Sequence, residues 1–160
     1  MFKRLLVPLD GSRFGTRALK YADEIARRFD AEVVLIQVIK PPAPVSAMTG
    51  VMPGTGPTAV EVSMEVALEE DKRRRAHAVR YLGRKVRENR AKGIRTSYKL
   101  MFGNPAKSIM KLSRRENIDL VVMSTHGKGG LKRALLGSVA DEVIRESKKP
   151  VLVVRPKTGR

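Results

Sequence analysis

The fifteen residues Ser124 to Ser138, STHGKGGLKRALLGS, hold four glycines, His126 and the cations Lys128, Lys132 and Arg133, directly after the apolar run IDLVVM. Glycines let backbone amides turn inward, and a following helix N-terminus adds orphan N–H groups and a partial positive charge. Gly137 and Ser138 stand where the next helix should begin, so their amides and the Ser138 hydroxyl could hold a phosphate. Asp10, at the end of the first apolar run, would lie across the same crevice and could meet a ribose hydroxyl or a metal. The competing reading is an ordinary strand-to-helix loop on a basic protein. Two phosphate signatures are absent: no G-x-x-x-x-G-K-[ST] string occurs, and G-x-G-x-x-G fails at Lys132. On these residues alone, both readings stay open.

Other chemistry finds little support. There is no cysteine, which excludes disulfides, thiolate metal sites and cysteine nucleophiles. The two histidines are His126 and His77, the latter in an arginine-rich helical stretch. No Ser/His/Asp triad and no metal-ligand cluster can be assigned, so no catalytic residue and no protein metal ligand is expected. His126 reads as a loop residue near the phosphates, not a general base.

The chain must position that loop with 160 residues, enough for a real core in a single domain spanning 1–160. Hydrophobic residues make up 42% and charged residues 31%, the balance of a globular chain. No run approaches the length of a membrane helix, and the expectation is a cytoplasmic protein without membrane contact. Net charge is +17 and unevenly spread: residues 1–80 carry 13 basic and 10 acidic side chains, residues 81–160 carry 20 and 6. Such a field draws polyanions without regard to sequence. Non-specific nucleic-acid binding is therefore an alternative, weakened by the scarcity of aromatics for stacking on bases. KRRR at 72–75 reads as a solvated helix face.

Apolar runs and helical periodicities alternate. KRLLVPLDG predicts a buried strand running into a loop, with Ser12 capping a helix whose apolar face is Phe14, Ala18, Ala22, Ile25 and Phe29. AEVVLIQVI is nearly continuous, as a strand covered on both faces should be. Residues 41–60 contain five of the nine prolines, three glycines and no charge, predicting a long loop. From Glu61 a helix is expected, with Val79, Leu82 and Val86 buried and Gly93 ending it. IRTSYKLMF is a third strand, Asn104 and Pro105 open another helix, and IDLVVMS is a fourth strand. Val139, Val143 and Ile144 mark the last helical face, and KPVLVVRP closes as a fifth strand. The alternation predicts an α/β, doubly wound, Rossmann-like domain: a five-stranded parallel sheet with helices on both faces. In such sheets ligands sit beyond the carboxyl ends of the strands, where strand order switches direction.

LLVPLDGS, VVLIQVI, VVMSTHGKGGLKRALLGSVADEVI and the terminal KPVLVV resemble the universal stress protein family, over essentially the whole chain outside 41–60. That family's nucleotide-binding branch carries G-x-x-G, nine residues, then G-[ST]. Here Gly127, nine residues and Gly137-Ser138 match, while Ser124 replaces the first glycine. The resemblance implies ATP, or AMP or ADP, with Mg²⁺ or Mn²⁺ on the phosphates, and little or no hydrolysis; a slow ATPase is the alternative. It implies that Asp10, with Pro8 and Leu9 beside it, and Val38 contact ribose and adenine. Met123, Ser124, His126 and Gly127 would line the ribose and phosphate region beside Lys128, and Gly137, Ser138 and Val139 would hold phosphates from the helix side. It also implies a homodimer through the terminal strand 150–154, and a nucleotide-dependent regulatory role in the stress response.

Overall fold

The computed structural model describes residues 1–40, 57–125 and 136–155, with backbone alone at 13–14 and 57–63. In chain order the elements are β1 (Arg4–Pro8), α1 (Arg13–Phe29), β2 (Glu32–Ile39), α2 (Pro57–Arg90), β3 (Thr96–Phe102), α3 (Pro105–Arg115), β4 (Leu120–Ser124), α4 (Ser138–Glu146) and β5 (Val151–Val154). The strands form one parallel sheet in the order β3-β2-β1-β4-β5. This is the doubly wound α/β arrangement that the alternation of apolar runs predicts. The first strand is central, and the winding reverses beside it, between β1 and β4.

Side-chain alternation along the strands divides the core in two. Leu5, Val7, Leu9, Val33, Leu35, Leu120 and Val122 face α1 and α2, meeting Ala18, Ala22, Ala26, Tyr81, Leu82 and Val86. Leu6, Val34, Ile36, Val121 and Met123 face α3 and α4, meeting Ala106, Ile109, Met110, Leu112, Ala140 and Val143. Each fully buried Leu, Ile or Val side chain is worth about 1.5–3 kcal/mol of transfer free energy. That explains why β1 and β2 read as unbroken apolar runs: both of their faces are covered.

Local chemistry sets the helix ends. The Ser12 hydroxyl accepts from the Gly15 amide, and Asp30 closes α1 in the left-handed conformation at φ 49°. The Asn104 side chain accepts from the Lys107 amide ahead of Pro105. Gly93, at φ 79°, ends α2 as the sequence predicts; its amide reaches the Arg90 carbonyl at 2.9 Å and the Ile94 amide reaches Asn89 at 3.1 Å.

Polar ties hold the layers in register. The Asp119 carboxylate accepts the Lys3 and Arg4 amides at 2.7 and 3.0 Å, fixing the start of β1 to the start of β4. The Arg4 guanidinium reaches Glu32 and Glu116. Buried Asp23 on α1 accepts from Asn89 Nδ2 at 2.7 Å and from Lys92 Nζ at 2.9 Å, joining α1 to the end of α2.

Four expectations change. Helix α2 begins at Pro57, four residues before Glu61, because proline suits the first helical turn, where its missing N–H is no loss. Val79 is 42% exposed; the buried face of α2 runs through Ala78, Tyr81, Leu82 and Val86, a stripe centred to one side of Val79. Ile144 is 40% exposed, so α4 is anchored by Ala140 and Val143. Phe29 is half exposed at the rim, where its ring meets Phe2 edge-on at 5.3 Å. Loop residues 41–56 lie outside the described residues.

Candidate functional site

The crevice at the reversal point is built from two strand exits and one helix entry. Strand β1 ends at Pro8, and the Leu9 amide adds one more bond to the Ile36 carbonyl of β2 at 2.8 Å. The chain then turns sharply. Asp10 Oδ1 accepts the Ser12 amide at 2.9 Å, and Gly11 takes φ 81°, a conformation that favours glycine. The first turn of α1 lies tight beneath this carboxylate: a Cβ on Gly15 would come within 3.3 Å of Leu9 Cδ2 and 3.5 Å of Asp10 Oδ1.

On the other side, β4 leads through Ser124 to buried Thr125. The Thr125 amide donates to the Val154 carbonyl at 3.1 Å, and the Thr125 carbonyl accepts the Gly137 amide at 2.8 Å. The exit of β4 is thereby tied to the entry of α4. A Cβ on Gly137 would lie 2.7 Å from that same carbonyl oxygen. Gly137 has φ −64°, open to any residue, so what demands glycine here is space.

The helix N-termini at this end of the sheet differ. Ser12 caps α1 and Asn104 caps α3 with their side chains, whereas α4 has Gly137 at its N-cap and no side-chain cap. The first amides of α4 are left with orphan N–H groups and the positive end of the helix dipole. Ser138 is exposed at that point.

Pro8, Val38, Met123 and Val139 converge on the α3/α4 face of the sheet. Met123 is buried in that core cluster, and Val38 and Val139 pack against it; Pro8 follows Leu6 on the same side by strand alternation. A cleft of about 400 Å³ opens alongside, lined by Lys40, Gly103, Asn104, Pro105, Ser138, Val139 and Glu142. Leu9 does not share this face: its side chain belongs to the α1/α2 core, so only its backbone stands at the crevice. Asp10 and Gly137 in the loops, Ser124 at the end of β4 and Ser138 at the start of α4 surround the crevice, and His126, Gly127 and Lys128 lie outside the described residues, as do Lys132 and Arg133.

The sequence reading does not place Gly103, Asn104, Lys40 or Glu142 at the site. Gly103 has φ 117°, a glycine-favouring conformation at the carboxyl end of β3, and the string GNP marks that turn. It is readable as a helix start, but nothing in it announces a cleft. Tyr81 is also absent from that reading. Burial raises its phenol above the ordinary value; the Thr16 side chain opposes this, and the charge of Asp10 adds to it. The Thr16 contact falls short of hydrogen-bond geometry, and Tyr81 Oη and Gln37 Oε1 are buried without a hydrogen-bond partner among the described residues.

A family model, the universal stress protein family, matches residues 1–155. The chain belongs to the universal stress protein family. Among its relatives, universal stress protein MJ0531 of Methanocaldococcus jannaschii is 36% identical over 97% of this chain and 83% of its own length. Universal stress protein MJ0577 of the same organism is 32% identical over 99% and 98%. The solved structure of MJ0577 superposes with a TM-score of 0.79, 29% identity and 99% coverage of both chains. A universal stress protein from Archaeoglobus fulgidus, solved in complex with dAMP, shares the fold at a TM-score of 0.58 and 18% identity, over 96% of this chain and 97% of its own.

Proposed function

We propose that this family member binds an adenine nucleotide, ATP above all, in the crevice between β1 and β4, and that occupancy sets its regulatory role in a stress response. The observation that carries the reading is the entry of α4: a helix without a side-chain cap, tied by Gly137 to the exit of β4 at the point where the winding reverses. Orphan amides and a helix dipole at such a point suit phosphate. The dAMP carried by the A. fulgidus family member supplies the base and sugar chemistry.

The residues fit the group. Gly137, Ser138 and Val139 would offer amides and a hydroxyl to phosphate, with Gly127, His126 and Lys128 completing the loop side. Pro8, Val38 and Met123 give an apolar wall for the base, and Asp10, with the Leu9 backbone and Ser124, stands where ribose hydroxyls would lie. Bound phosphates would bring Mg²⁺ or Mn²⁺ with them. Asp10 already accepts the Ser12 amide, so the carboxylate is oriented for binding and is poorly placed to activate water. We infer a binding module spanning 1–160 and acting in the cytoplasm, pairing with a second copy through 150–154, with hydrolysis slow or absent.

Calorimetric titration of Mg-ATP into the wild type and into Gly137→Val tests this. Micromolar binding that the valine abolishes is the expected result. A wild type that binds no adenine nucleotide overturns it. Turnover that Asp10→Ala removes would move the reading to a slow ATPase.

A further inference from the structure

Helix α3 has an unusual solvent face. Its exposed residues after Pro105 are Lys107, Lys111, Arg114 and Arg115, and the helix contains no acidic residue. At 100° per residue these four lie within an arc of about 100°, along about 12 Å of helix. None of them is in an ion pair among the described residues; Glu116, which follows the helix, is engaged by Arg4 and Lys99 instead. The contrast with α2 is direct. There Glu69 meets Lys72 and Arg73, Asp71 meets Arg74 and Arg75, and Glu88 meets Arg84 and Lys85. The cations of α2 are largely neutralised within the helix, whereas those of α3 add to one another. Lys149, close enough to Asp119 to act on it, and exposed Lys148 add positive charge beside the start of β4. Lys107 sits in the first turn, where the helix dipole disfavours a cation, so helix stability does not account for it.

We propose that this ridge docks the phosphate backbone of double-stranded nucleic acid, without reading its sequence. Four neighbouring, uncompensated cations supply the counterion-release term that drives such binding. The ridge offers no apolar anchor: Ile109, Met110 and Leu112 are committed to the core, and no large hydrophobic side chain is exposed on α3. Hot spots at protein interfaces and insertion between lipids both use such an anchor. Nucleic-acid interfaces are polar and strongly positive instead. Aromatic stacking, the means of gripping single strands, is missing from this face. The exposed ring of Phe102 lies under Arg75 of α2, and Tyr98, four residues before it, alternates to the same side of β3; Lys99 is turned the other way, towards Glu116. The inference stands apart from the nucleotide reading, since the four cations are not among the crevice residues.

The test is fluorescence anisotropy of a labelled 20-base-pair random duplex with the full chain, from 50 to 200 mM salt. Three proteins are compared: the wild type, the α3 variant Lys107→Gln/Lys111→Gln/Arg114→Gln/Arg115→Gln, and an equal-charge control on α2, Lys72→Gln/Arg73→Gln/Arg80→Gln/Arg87→Gln. Circular dichroism and thermal melting establish that each is folded. Wild-type binding should weaken about 10²-fold across that range, with a log–log slope steeper than about −3.6 by whatever the remaining cations add. The α3 variant should lose about 3.6 of the slope, and the α2 control far less. Equal losses in both variants overturn the proposal in favour of diffuse net charge. No duplex binding by the wild type overturns it outright, as does ridge-dependent binding to phosphatidylserine vesicles in its place.

Discussion

Two glycines of the crevice illustrate how one residue type answers different demands. Gly11 is needed for its conformation, at φ 81°, and Gly137 for the 2.7 Å that separates its missing Cβ from the Thr125 carbonyl. A flexible neighbour could give way to a methyl group, but a backbone oxygen that also accepts the Gly137 amide cannot do so without breaking that bond. Gly137→Ala should therefore cost about 1–3 kcal/mol, as overpacking does. In a chain of this size that lowers the melting temperature by roughly 2–4 °C for each kcal/mol. Differential scanning calorimetry reads the shift, and titration of the folded variant with Mg-ATP should show at least a tenfold weaker affinity. An alanine variant as stable as the wild type would mean that the close approach does not constrain this position.

Between elements, the tie from Asp119 to the Lys3 and Arg4 amides does what no apolar contact does: it fixes the register of β1 against β4. These two amides, Lys3 first and Arg4 second, hold the Asp119 carboxyl below the ordinary carboxylate value. Since the folded value is the lower one, the stabilisation is complete above the unfolded value near 4 and fades as pH falls through the folded value. Asp119→Asn should lower stability by about 1 kcal/mol at pH 7, after allowance for solvent screening of this partly buried group. Urea unfolding should show the gap to the wild type closing towards pH 2, and a gap of unchanged size there would sink the account. Elements were also what the sequence revealed best. Every strand but β3 is a short, nearly continuous apolar run, and Ser12, Asn104-Pro105 and Gly93 mark helix ends by chemistry that needs no tertiary partner. The misplaced residues, Val79, Phe29 and Ile144, are apolar side chains at the margin of a helical face, where periodicity cannot say on which side the neighbouring sheet ends. In the crevice, Asp10, Gly137 and Ser138 were legible because turns and helix starts are local. The cleft beside Gly103 and Asn104 was not, because it arises where the end of β3 meets α4, elements far apart in the chain.

At the scale of the whole molecule, β5 is an edge strand with Val151, Leu152 and Val153 only partly covered. A short apolar edge of this kind invites pairing with another strand. The proposed antiparallel contact between two copies should make the 17.8 kDa chain sediment at about twice its mass. Val153→Arg should shift that equilibrium to the monomer without lowering nucleotide affinity; a wild type that is monomeric at high micromolar concentration removes the dimer. The central place of the first strand reaches further still. During synthesis, β1, β2 and β3 can pair as soon as residue 102 has emerged, but the other edge of β1 must wait for β4, about 115 residues downstream of its own start. Its partner elements complete only at Val154. At ribosomal rates of about 5–20 residues per second, the nascent chain spends several seconds with its central strand open along one edge. Contacts of such long sequence separation also make the final pairing slow. The chain thus has its most exposed moment on the ribosome, before its last third has been made.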